Sequence, residues 1–383
     1  MKTRAAVLWD TGQEWKIEEV ELDDPGPREI LVKTKVAGMC HSDEHMVTGD
    51  LSFSNEAAAM LGIDAMFPMI GGHEGSGEVI QVGPGVSNIA VGDHVAVSFI
   101  PACGKCHYCA KGQQQLCDLG AKAFMTGMIA DGRHAHHCGD TPVNTFAKLG
   151  TFSEYMLLSE DSVVKIDADL PYAAAALVSC GVATGFGSAI NRAEVKAGDT
   201  VVVIGCGGVG MNAVQGAALA GAKRVIAIDP VEFKREKAME FGATHTFASV
   251  EEATPEIGAI TWGRMAESAI ITVGVAHGNM LAPALALLGK GGTLVVTSIA
   301  NMMESEAQVS LFDLAMMNKQ IRGTIFGSAS PNQAIPELLS MYREGRLKLD
   351  ELITSTYTLD EVNQGYQDMR DGKNIRGVIV FDD

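Results

Sequence analysis

The sequence predicts an α/β protein with two domains, one rich in β-strands and one built on a doubly wound parallel sheet. At 383 residues, the chain exceeds the size at which a single hydrophobic core stops growing. Up to about residue 180, short apolar runs are interrupted by Gly, Pro and Asp, which is typical of a β-rich domain. From about residue 182, strands alternate with helices, as in a parallel sheet covered on both faces.

The predicted elements follow from these runs in chain order. A first strand is expected between Arg4 and Asp10, and the later apolar runs predict strands at 30–36, 77–82, 94–99, 200–204, 224–229, 269–273 and 292–298. Helices are predicted at 210–220, 231–241 and 335–344. A last strand at 377–381 suggests that the tail rejoins the first domain.

Composition excludes several classes of protein. The 29 basic and 47 acidic residues give a net charge of −18, and the sequence has no basic stripe, so we expect no nucleic-acid partner. The apolar run that begins the chain is too short for a secretory signal. Two uncharged stretches, 200–222 and 268–289, each break at a glycine turn into a strand and a helix, so we expect no membrane span.

Four cysteines predict a closed zinc site. Cys103, Cys106, Cys109 and Cys117 follow the spacing C-x2-C-x2-C-x7-C, so short loops within about 100–120 can fold all four thiolates onto one tetrahedral ion. The alternative is a pair of disulfides, but cysteines two residues apart rarely reach the separation that a disulfide needs. Thiols that bind metal or stay free require a reducing compartment, which favours the cytosol.

A second set of donors, Cys40, His73 and Cys180, predicts an open zinc site. A catalytic zinc takes three protein ligands and keeps one position for water or a reacting oxygen. These three residues lie far apart in the chain, so only the fold can bring them together.

A glycine-rich turn predicts a dinucleotide site. It directly follows an apolar strand, opens a helix, and consists of Gly205, Cys206, Gly207, Gly208, Val209 and Gly210. Its glycines let the backbone approach a pyrophosphate at the helix N-terminus. Asp229 ends the next strand, where its carboxylate can accept hydrogen bonds from a ribose diol and would repel a 2′-phosphate. NAD is therefore preferred over NADP, although Lys234 and Arg235 weaken that preference. The alternative is a tight turn without a dinucleotide.

With these motifs in place, the chain resembles a known family. The segments 38–50, 71–86 and 179–189, together with the cysteine lobe and the glycine turn, resemble the zinc-dependent alcohol dehydrogenases of the medium-chain dehydrogenase/reductase superfamily. The resemblance implies a GroES-like catalytic domain over 1–181 and 325–383, and a Rossmann domain over 182–324. The run 229–245 and the long segment 51–67 are most similar to the nicotinoprotein (nitrosodimethylaniline-dependent) branch, in which NAD stays bound and an external acceptor re-oxidises it.

The resemblance also assigns roles around the open zinc site. It implies that Cys40, His73 and Cys180 hold the catalytic zinc, that Glu74 lies behind the metal, and that Asp43 orients the His73 ring. Ser42 resembles the residue that takes the alcohol proton, and His45 the one that passes it onward.

Further roles concern the cofactor and the substrate. Thr184 resembles the residue behind the nicotinamide ring, Arg376 the arginine that pairs with the pyrophosphate, and Lys234 the lysine beside the adenosine ribose. Phe99 and Phe146 resemble aromatic walls of the substrate pocket.

Three departures from the family pattern stand out. His41 occupies a position where several relatives carry an arginine. The segment 51–67 is expected to extend a loop at the mouth of the substrate cleft. The group His134, His136, His137 and Cys138 suggests a third metal site, but a polar surface loop is favoured because the spacing does not direct these side chains at one point.

The sequence thus predicts an NAD-dependent zinc alcohol dehydrogenase that acts on primary alcohols and aldehydes, with two zinc ions per subunit and NAD either exchangeable or captive. A strand around 323–327 is expected, by resemblance, to pair across a two-fold axis in a homodimer or homotetramer. One alternative is glutathione-dependent formaldehyde oxidation, although no basic pocket for glutathione carboxylates can be found in this acidic sequence. The other is a non-catalytic protein that binds zinc and a nucleotide.

Overall fold

The computed structural model describes residues 1–382 and divides them into two compact units. The first unit contains Met1–Cys180 and the chain from Ser330 onward, and the second contains Gly181–Ala329. The polypeptide therefore leaves the first unit once and returns to it. The sequence placed the second crossing near residue 324, a few residues earlier than the structure does.

Two antiparallel-rich sheets form the first unit, with β3 at the centre of the second. Its strands are β1 (Lys2–Leu8), β2 (Lys16–Leu22), β3 (Glu29–Gly38), β4 (Met69–Ile70), β5 (Glu74–Val82), β6 (His94–Val97), β7 (His136–Cys138), β8 (Thr141–Pro142), β9 (Asn144–Thr145), β10 (Tyr155–Ser159), β11 (Val163–Ile166), β20 (Ile353–Tyr357) and β21 (Arg376–Val380). Its helices are α1 (His41–Thr48), α2 (Asn55–Leu61), α3 (His107–Ala110), α4 (Tyr172–Leu177), α11 (Pro331–Arg343) and α12 (Val362–Arg370).

The sheet order explains how distant segments meet. The sheets run β8-β7-β2-β1-β4-β9 and β11-β6-β5-β3-β21-β20, and β10 also pairs with β3. The end of β3 lies beside the start of β5 and the first half of β21, because Gly38 is in register with both Glu74 and Val378. Cys40 follows β3 and His73 precedes β5, so both approach the same edge of this sheet.

The second unit contains a six-stranded parallel sheet with helices between its strands, and a separate two-stranded sheet. Its strands are β12 (Thr200–Ile204), β13 (Arg224–Ile228), β14 (His245–Phe247), β15 (Ala266–Ile271), β16 (Val275–Ala276), β17 (Leu288–Val296), β18 (Ile299–Ala300) and β19 (Gln320–Gly323). Its helices are α5 (Ala183–Gly187), α6 (Gly208–Leu219), α7 (Glu232–Glu240), α8 (Val250–Ile260), α9 (Leu281–Ala286) and α10 (Leu311–Met316). The order β14-β13-β12-β15-β17-β19 is that of a doubly wound Rossmann sheet.

The prediction of a strand around 323–327 is wrong, because the strand lies earlier in the chain. Strand β19 ends at Gly323, and Phe326–Ser328 form a 3-10 turn. Gly327 has φ of 60° and lies so close to α5 that a Cβ there would be 2.3 Å from the Ala183 carbonyl oxygen. The backbone leaves the sheet because it turns to pack against that helix.

Two other expectations need correction. The segment 51–67 is not a plain loop, since it contains α2, which Ser54 caps by accepting a hydrogen bond from the Ala57 N–H at 3.2 Å. His136 is not on a surface loop either. It lies in β7 beside β2 and is only 4% exposed, because the tertiary pairing covers it.

A continuous helical run, Tyr172–Arg192, is long and apolar enough to cross a membrane by length and composition. Of its most apolar window, 78% is buried within the protein. A core helix meets the same criteria, and such burial is what a core helix shows. The uncharged stretch 200–222, by contrast, divides into a strand and a helix as predicted, and 268–289 divides into β15, β16 and α9 before β17 begins.

Candidate active site

Four potential metal ligands converge in the first unit. The donor atoms of Cys40, His73, Glu74 and Cys180 all lie within 4.8 Å of one another. Cys40 is the N-cap of α1, His73 directly precedes β5, and Cys180 follows α4 along the same helical run. The three residues that the sequence predicted as one set therefore meet, although three separate parts of the chain supply them.

The surroundings of His73 show that this set fits a metal ion. The ring is 2% exposed, and its Nε2 has no hydrogen-bond partner among the described residues. Its Nδ1 lies 3.0 Å from Oδ2 of the fully buried Asp43, whose Oδ1 accepts a hydrogen bond from the Gly72 N–H at 2.8 Å. A carboxylate on one ring nitrogen is the usual arrangement behind a metal-ligating imidazole, so Nε2 is left for the ion.

The two thiols of the set compete for one negative charge. A hydrogen bond from Cys180 lowers the pKa of the Cys40 thiol well below its usual value, against the effect of burial. The same contact, together with burial, raises the pKa of Cys180 well above its usual value. A divalent cation between them would let both carry charge. Two thiolates and one imidazole are donors that zinc prefers.

Glu74 and Arg376 form a buried ion pair beside these ligands. Glu74 is fully buried, and the Arg376 guanidinium donates both to its Oε2 and, at 3.1 Å, to the Met39 carbonyl. Burial raises the pKa of Glu74 above its usual value, against the opposing charge of Arg376. The structure thus places Arg376, predicted as a pyrophosphate partner, next to the metal set. Its contact with a cofactor stays a prediction.

Helix α1 carries the two residues predicted to move a proton. Ser42 Oγ lies 3.8 Å from the Cys40 sulfur, and Ser42 is half-buried. His45 is three residues further on, hence on the same face of the helix, and is 2% exposed. Its Nδ1 lies 3.2 Å from Asp50 Oδ2.

Two aromatic rings pack edge-on against His73. The Phe99 ring centroid is 5.9 Å from that of His73 at an interplanar angle of 84°, and the Phe146 centroid is 5.2 Å away at 82°. Phe146 is buried and Phe99 half-buried. Both residues that the resemblance placed in the substrate pocket therefore border His73, a candidate metal ligand, and supply an apolar wall beside it.

The four-cysteine lobe is assembled separately. All four sulfur atoms lie within 4.8 Å of one another, and none of the cysteines is in a disulfide in the described residues. The Cys103 and Cys109 sulfurs are 4.0 Å apart, and those of Cys106 and Cys117 are 3.9 Å apart. Backbone N–H groups of Cys109 and Asp118 lower the pKa of Cys106 to about 7, which favours a thiolate. Without disulfides between these cysteines in the described residues, the arrangement fits a tetrahedral zinc site and not the disulfide alternative.

No third metal cluster occurs among residues 1–382. The two sets above are the groups close enough to share an ion, and neither includes His134, His137 or Cys138. Burial lowers the pKa of His136 to about 3, which keeps this imidazole neutral.

The glycine turn in the second unit is tightly constrained by its own backbone. Gly205 has φ of 94°, and a Cβ on Gly210 would lie 1.9 Å from the Gly205 carbonyl oxygen. Gly207, the N-cap of α6, has no atom within 4 Å of the place where a Cβ would stand. The space above Gly207 is therefore open, as close approach of a ligand to the backbone requires. Gly208 and Val209 begin α6.

Asp229 ties this turn to the end of β13. Its Oδ2 accepts from the Cys206 N–H at 2.8 Å and its Oδ1 from the Val231 N–H at 2.9 Å, which leaves further acceptor positions on both oxygens. Cys206 itself is fully buried, and burial raises its pKa, so it is a packing residue rather than a redox thiol. Lys234 lies in the first turn of α7, and Thr184 is half-buried in α5.

Comparison with known proteins decides the family. The family described as "Alcohol dehydrogenase GroES-like domain" matches residues 26–168, and "Zinc-binding dehydrogenase" matches 208–344. The chain is 50% identical over 380 residues to an NDMA-dependent alcohol dehydrogenase of Amycolatopsis methanolica, covering 99% of both proteins. This chain belongs to the zinc-dependent alcohol dehydrogenases of the medium-chain dehydrogenase/reductase superfamily. The resemblance, the GroES-like and Rossmann fold class and the class of enzyme predicted from sequence are confirmed.

Other alcohol dehydrogenases and their relatives share the whole length. The chain is 32% identical to an S-(hydroxymethyl)glutathione dehydrogenase of Paracoccus denitrificans, covering 100% of both proteins. The crystal structure of benzyl alcohol dehydrogenase from Acinetobacter calcoaceticus superimposes with a TM-score of 0.88 at 30% identity, again with full coverage of both chains.

One neighbour in this alcohol dehydrogenase was not predicted from sequence. Asp50, which contacts His45, follows Gly49, a glycine that ends α1 in the left-handed conformation. The sequence does carry a signal for this contact. A carboxylate stands directly after a glycine that ends a helix, about one turn beyond a candidate catalytic histidine.

Proposed function

We propose that this alcohol dehydrogenase oxidises primary alcohols to aldehydes, and catalyses the reverse reaction, by hydride transfer to NAD at the site of Cys40, His73 and Cys180. The observation that carries the proposal is the buried His73 ring, which Asp43 contacts at Nδ1 and whose Nε2 has no hydrogen-bond partner in the part of the chain that the structure describes. A non-catalytic zinc protein has no use for such a three-donor set beside Ser42 and His45.

Zinc, when bound, supplies Lewis acidity to an alcohol oxygen at its open position. The protein's own residues would do the rest. Asp43 holds the His73 ring in place, and the Phe99 and Phe146 rings exclude water from the reacting carbon. Ser42 takes the hydroxyl proton and His45 carries it toward solvent, since an imidazole can both accept and release a proton.

The second unit would bind the dinucleotide. The open space at Gly207 and the N-terminus of α6 suit a pyrophosphate, and the remaining acceptor positions of Asp229 suit a ribose diol. We further infer that Lys234 lies near the adenosine ribose, Thr184 behind the nicotinamide ring, and Arg376 near the pyrophosphate. NAD is preferred over NADP because the Asp229 carboxylate repels a 2′-phosphate.

The NAD of this enzyme is proposed to be captive. The relative that is 50% identical is named for its dependence on NDMA, an artificial electron acceptor. A captive cofactor needs such an acceptor, or a second substrate, to be re-oxidised within the same subunit.

One experiment tests both levels of the proposal. Enzyme as purified is given a primary alcohol and nitrosodimethylaniline, with no cofactor added. Turnover that added NAD does not stimulate would support the captive cofactor. Turnover only with added NAD, with NADH accumulating, would leave an ordinary alcohol dehydrogenase, and no turnover in either assay would refute alcohol oxidation.

Glutathione-dependent formaldehyde oxidation is the second candidate, because the relative from Paracoccus denitrificans bears that activity in its name at 32% identity. The net charge of −18 weighs against a site for the glutathione carboxylates. Formaldehyde with glutathione, compared with a primary alcohol in the same assay, separates the two candidates.

We also infer a homodimer or homotetramer in the cytosol. Strand β19 ends the sheet order of the second unit, and Ile321 on it is 38% exposed. Phe312 and Leu311 nearby in sequence are each 73% exposed. Apolar surface next to an open strand edge suits pairing with a second copy. Light scattering coupled to gel filtration would measure the number of subunits.

A further inference from the structure

We propose that Asp50 is a positioning residue for His45, which orients the imidazole and fixes the nitrogen that takes up the proton. The inference rests on the proposed function, in which His45 carries the alcohol proton.

The contact is built by the end of helix α1. Gly49 ends the helix with φ of 82°, a left-handed conformation that turns the chain back toward the preceding turn. The Leu51 N–H donates to the His45 carbonyl at 3.1 Å and fixes this turn. Asp50 Oδ2 thereby comes to lie 3.2 Å from His45 Nδ1.

The hydrogen-bond pattern selects the tautomer. The Thr48 hydroxyl donates to the same Asp50 Oδ2 at 2.6 Å, so this oxygen acts as an acceptor. An ionised carboxylate has only acceptors. The hydrogen of the neutral imidazole therefore sits on Nδ1 of His45, and Nε2 keeps its lone pair.

This arrangement orients the His45 ring so that its Nε2 lone pair can take up a proton. When a proton reaches Nε2, the ring becomes an imidazolium whose Nδ1–H still points at the Asp50 carboxylate. The charge stays balanced by its neighbour until Nε2 releases the proton to solvent, and no electrons move in this step. The side chain of His45 is 2% exposed and that of Asp50 18%, so water screens the attraction little.

The substitution Asp50→Asn tests the proposal with the shape conserved. The amide can donate to Nδ1 and so favours the tautomer that carries its hydrogen on Nε2. We expect kcat for alcohol oxidation to fall by at least about tenfold with KM nearly unchanged, since proton transfer by a placed side chain contributes 10²–10⁴-fold. Asp50→Glu, which keeps a carboxylate, should recover part of the loss. Glu56→Gln, which removes an exposed carboxylate from α2, is the matched control and should leave kcat unchanged.

A double-mutant cycle separates positioning from a structural role. His45→Gln should lower kcat, and adding Asp50→Asn to it should lower kcat no further, with zinc content and melting temperature unchanged throughout. An equal loss from Asp50→Asn in both backgrounds would overturn the role of Asp50 while leaving the relay intact. Unchanged kcat in His45→Gln would refute the relay and the Asp50 role with it, although alcohol oxidation itself would stand.

Discussion

Asp43 Oδ2 and His73 Nδ1 lie 3.0 Å apart in the interior of the first unit, the carboxylate fully buried and the imidazole nearly so. An isolated buried carboxylate is costly, and a protein retains one where a partner balances its charge. Asp43 and Cys40 raise the pKa of His73 well above its usual value, although burial opposes this. The negative charge of Asp43 thus stabilises a cation that binds at Nε2 of His73.

Replacing Asp43 with Asn should weaken the binding of zinc at this site. The amide keeps the shape but loses the charge that makes His73 a basic ligand, so we expect affinity to fall by about 10–100-fold. Competition with a chromogenic chelator measures it. Asp140→Asn, at an exposed position, is the control, and equal affinity in the two variants would contradict the role of Asp43.

Replacing Cys180 with Ala should abolish turnover and spare the fold. Removal of one of three ligands leaves a site that can no longer hold zinc in the geometry that the reaction needs. Metal analysis should show about one zinc ion fewer per chain, with an unchanged circular dichroism spectrum. Cys138→Ala removes a thiol outside both metal sets and should behave as wild type. Activity that survives in Cys180→Ala would show the zinc assignment to be wrong.

Two glycines of the cofactor turn should respond to alanine in opposite ways. Gly210→Ala places a methyl group 1.9 Å from the Gly205 carbonyl oxygen, so it should distort the turn and lower the melting temperature. Gly207→Ala meets no protein atom within 4 Å, so it should keep the melting temperature and weaken NAD binding alone.

Calorimetric titration of both variants with NAD, beside thermal melting, makes the comparison. If Gly207→Ala binds NAD as tightly as wild type does, the pyrophosphate does not pass over this position.

The buried His136 should make stability depend on pH. Burial lowers its folded pKa to about 3, below the usual value of about 6.5 in an unfolded chain. Between these values the unfolded state binds more protons, so the free energy of unfolding falls as pH falls from about 6.5 toward 3. Protonation of His136 in the unfolded state lowers the free energy of unfolding by roughly 2 kcal/mol at most between pH 6.5 and 5.

Urea unfolding at several pH values tests this, with His136→Leu as the variant. The difference in free energy of unfolding between wild type and His136→Leu should change with pH over that range. A constant difference would mean that His136 is protonated in the folded protein as readily as in the unfolded one.

The features that the sequence predicted correctly are determined by short stretches of chain. The strands near β3, β5, β12 and β13 follow from runs of apolar residues, and the cysteine lobe follows from its spacing. The Gly205–Gly210 turn was likewise visible, because its glycines meet each other within one turn of backbone.

What the sequence missed depends on tertiary contacts. Burial of His136 is a consequence of β7 pairing with β2, which no local pattern indicates. The end of β19 at Gly323 is set by the packing of Gly327 against α5. The pairing of Arg376 with Glu74 follows from the register of β21 beside β3, which no local pattern indicates either.

The register of β21 beside β3 determines when, during synthesis, the buried ion pair can form. Strand β21 is synthesised after Cys40, His73 and Cys180, and it carries Arg376, whose guanidinium pairs with Glu74. A nascent chain therefore holds Cys40, His73 and Cys180 long before Arg376 can pair with Glu74. A chain cut before residue 376 would retain all three candidate zinc ligands and still lack the guanidinium beside Glu74.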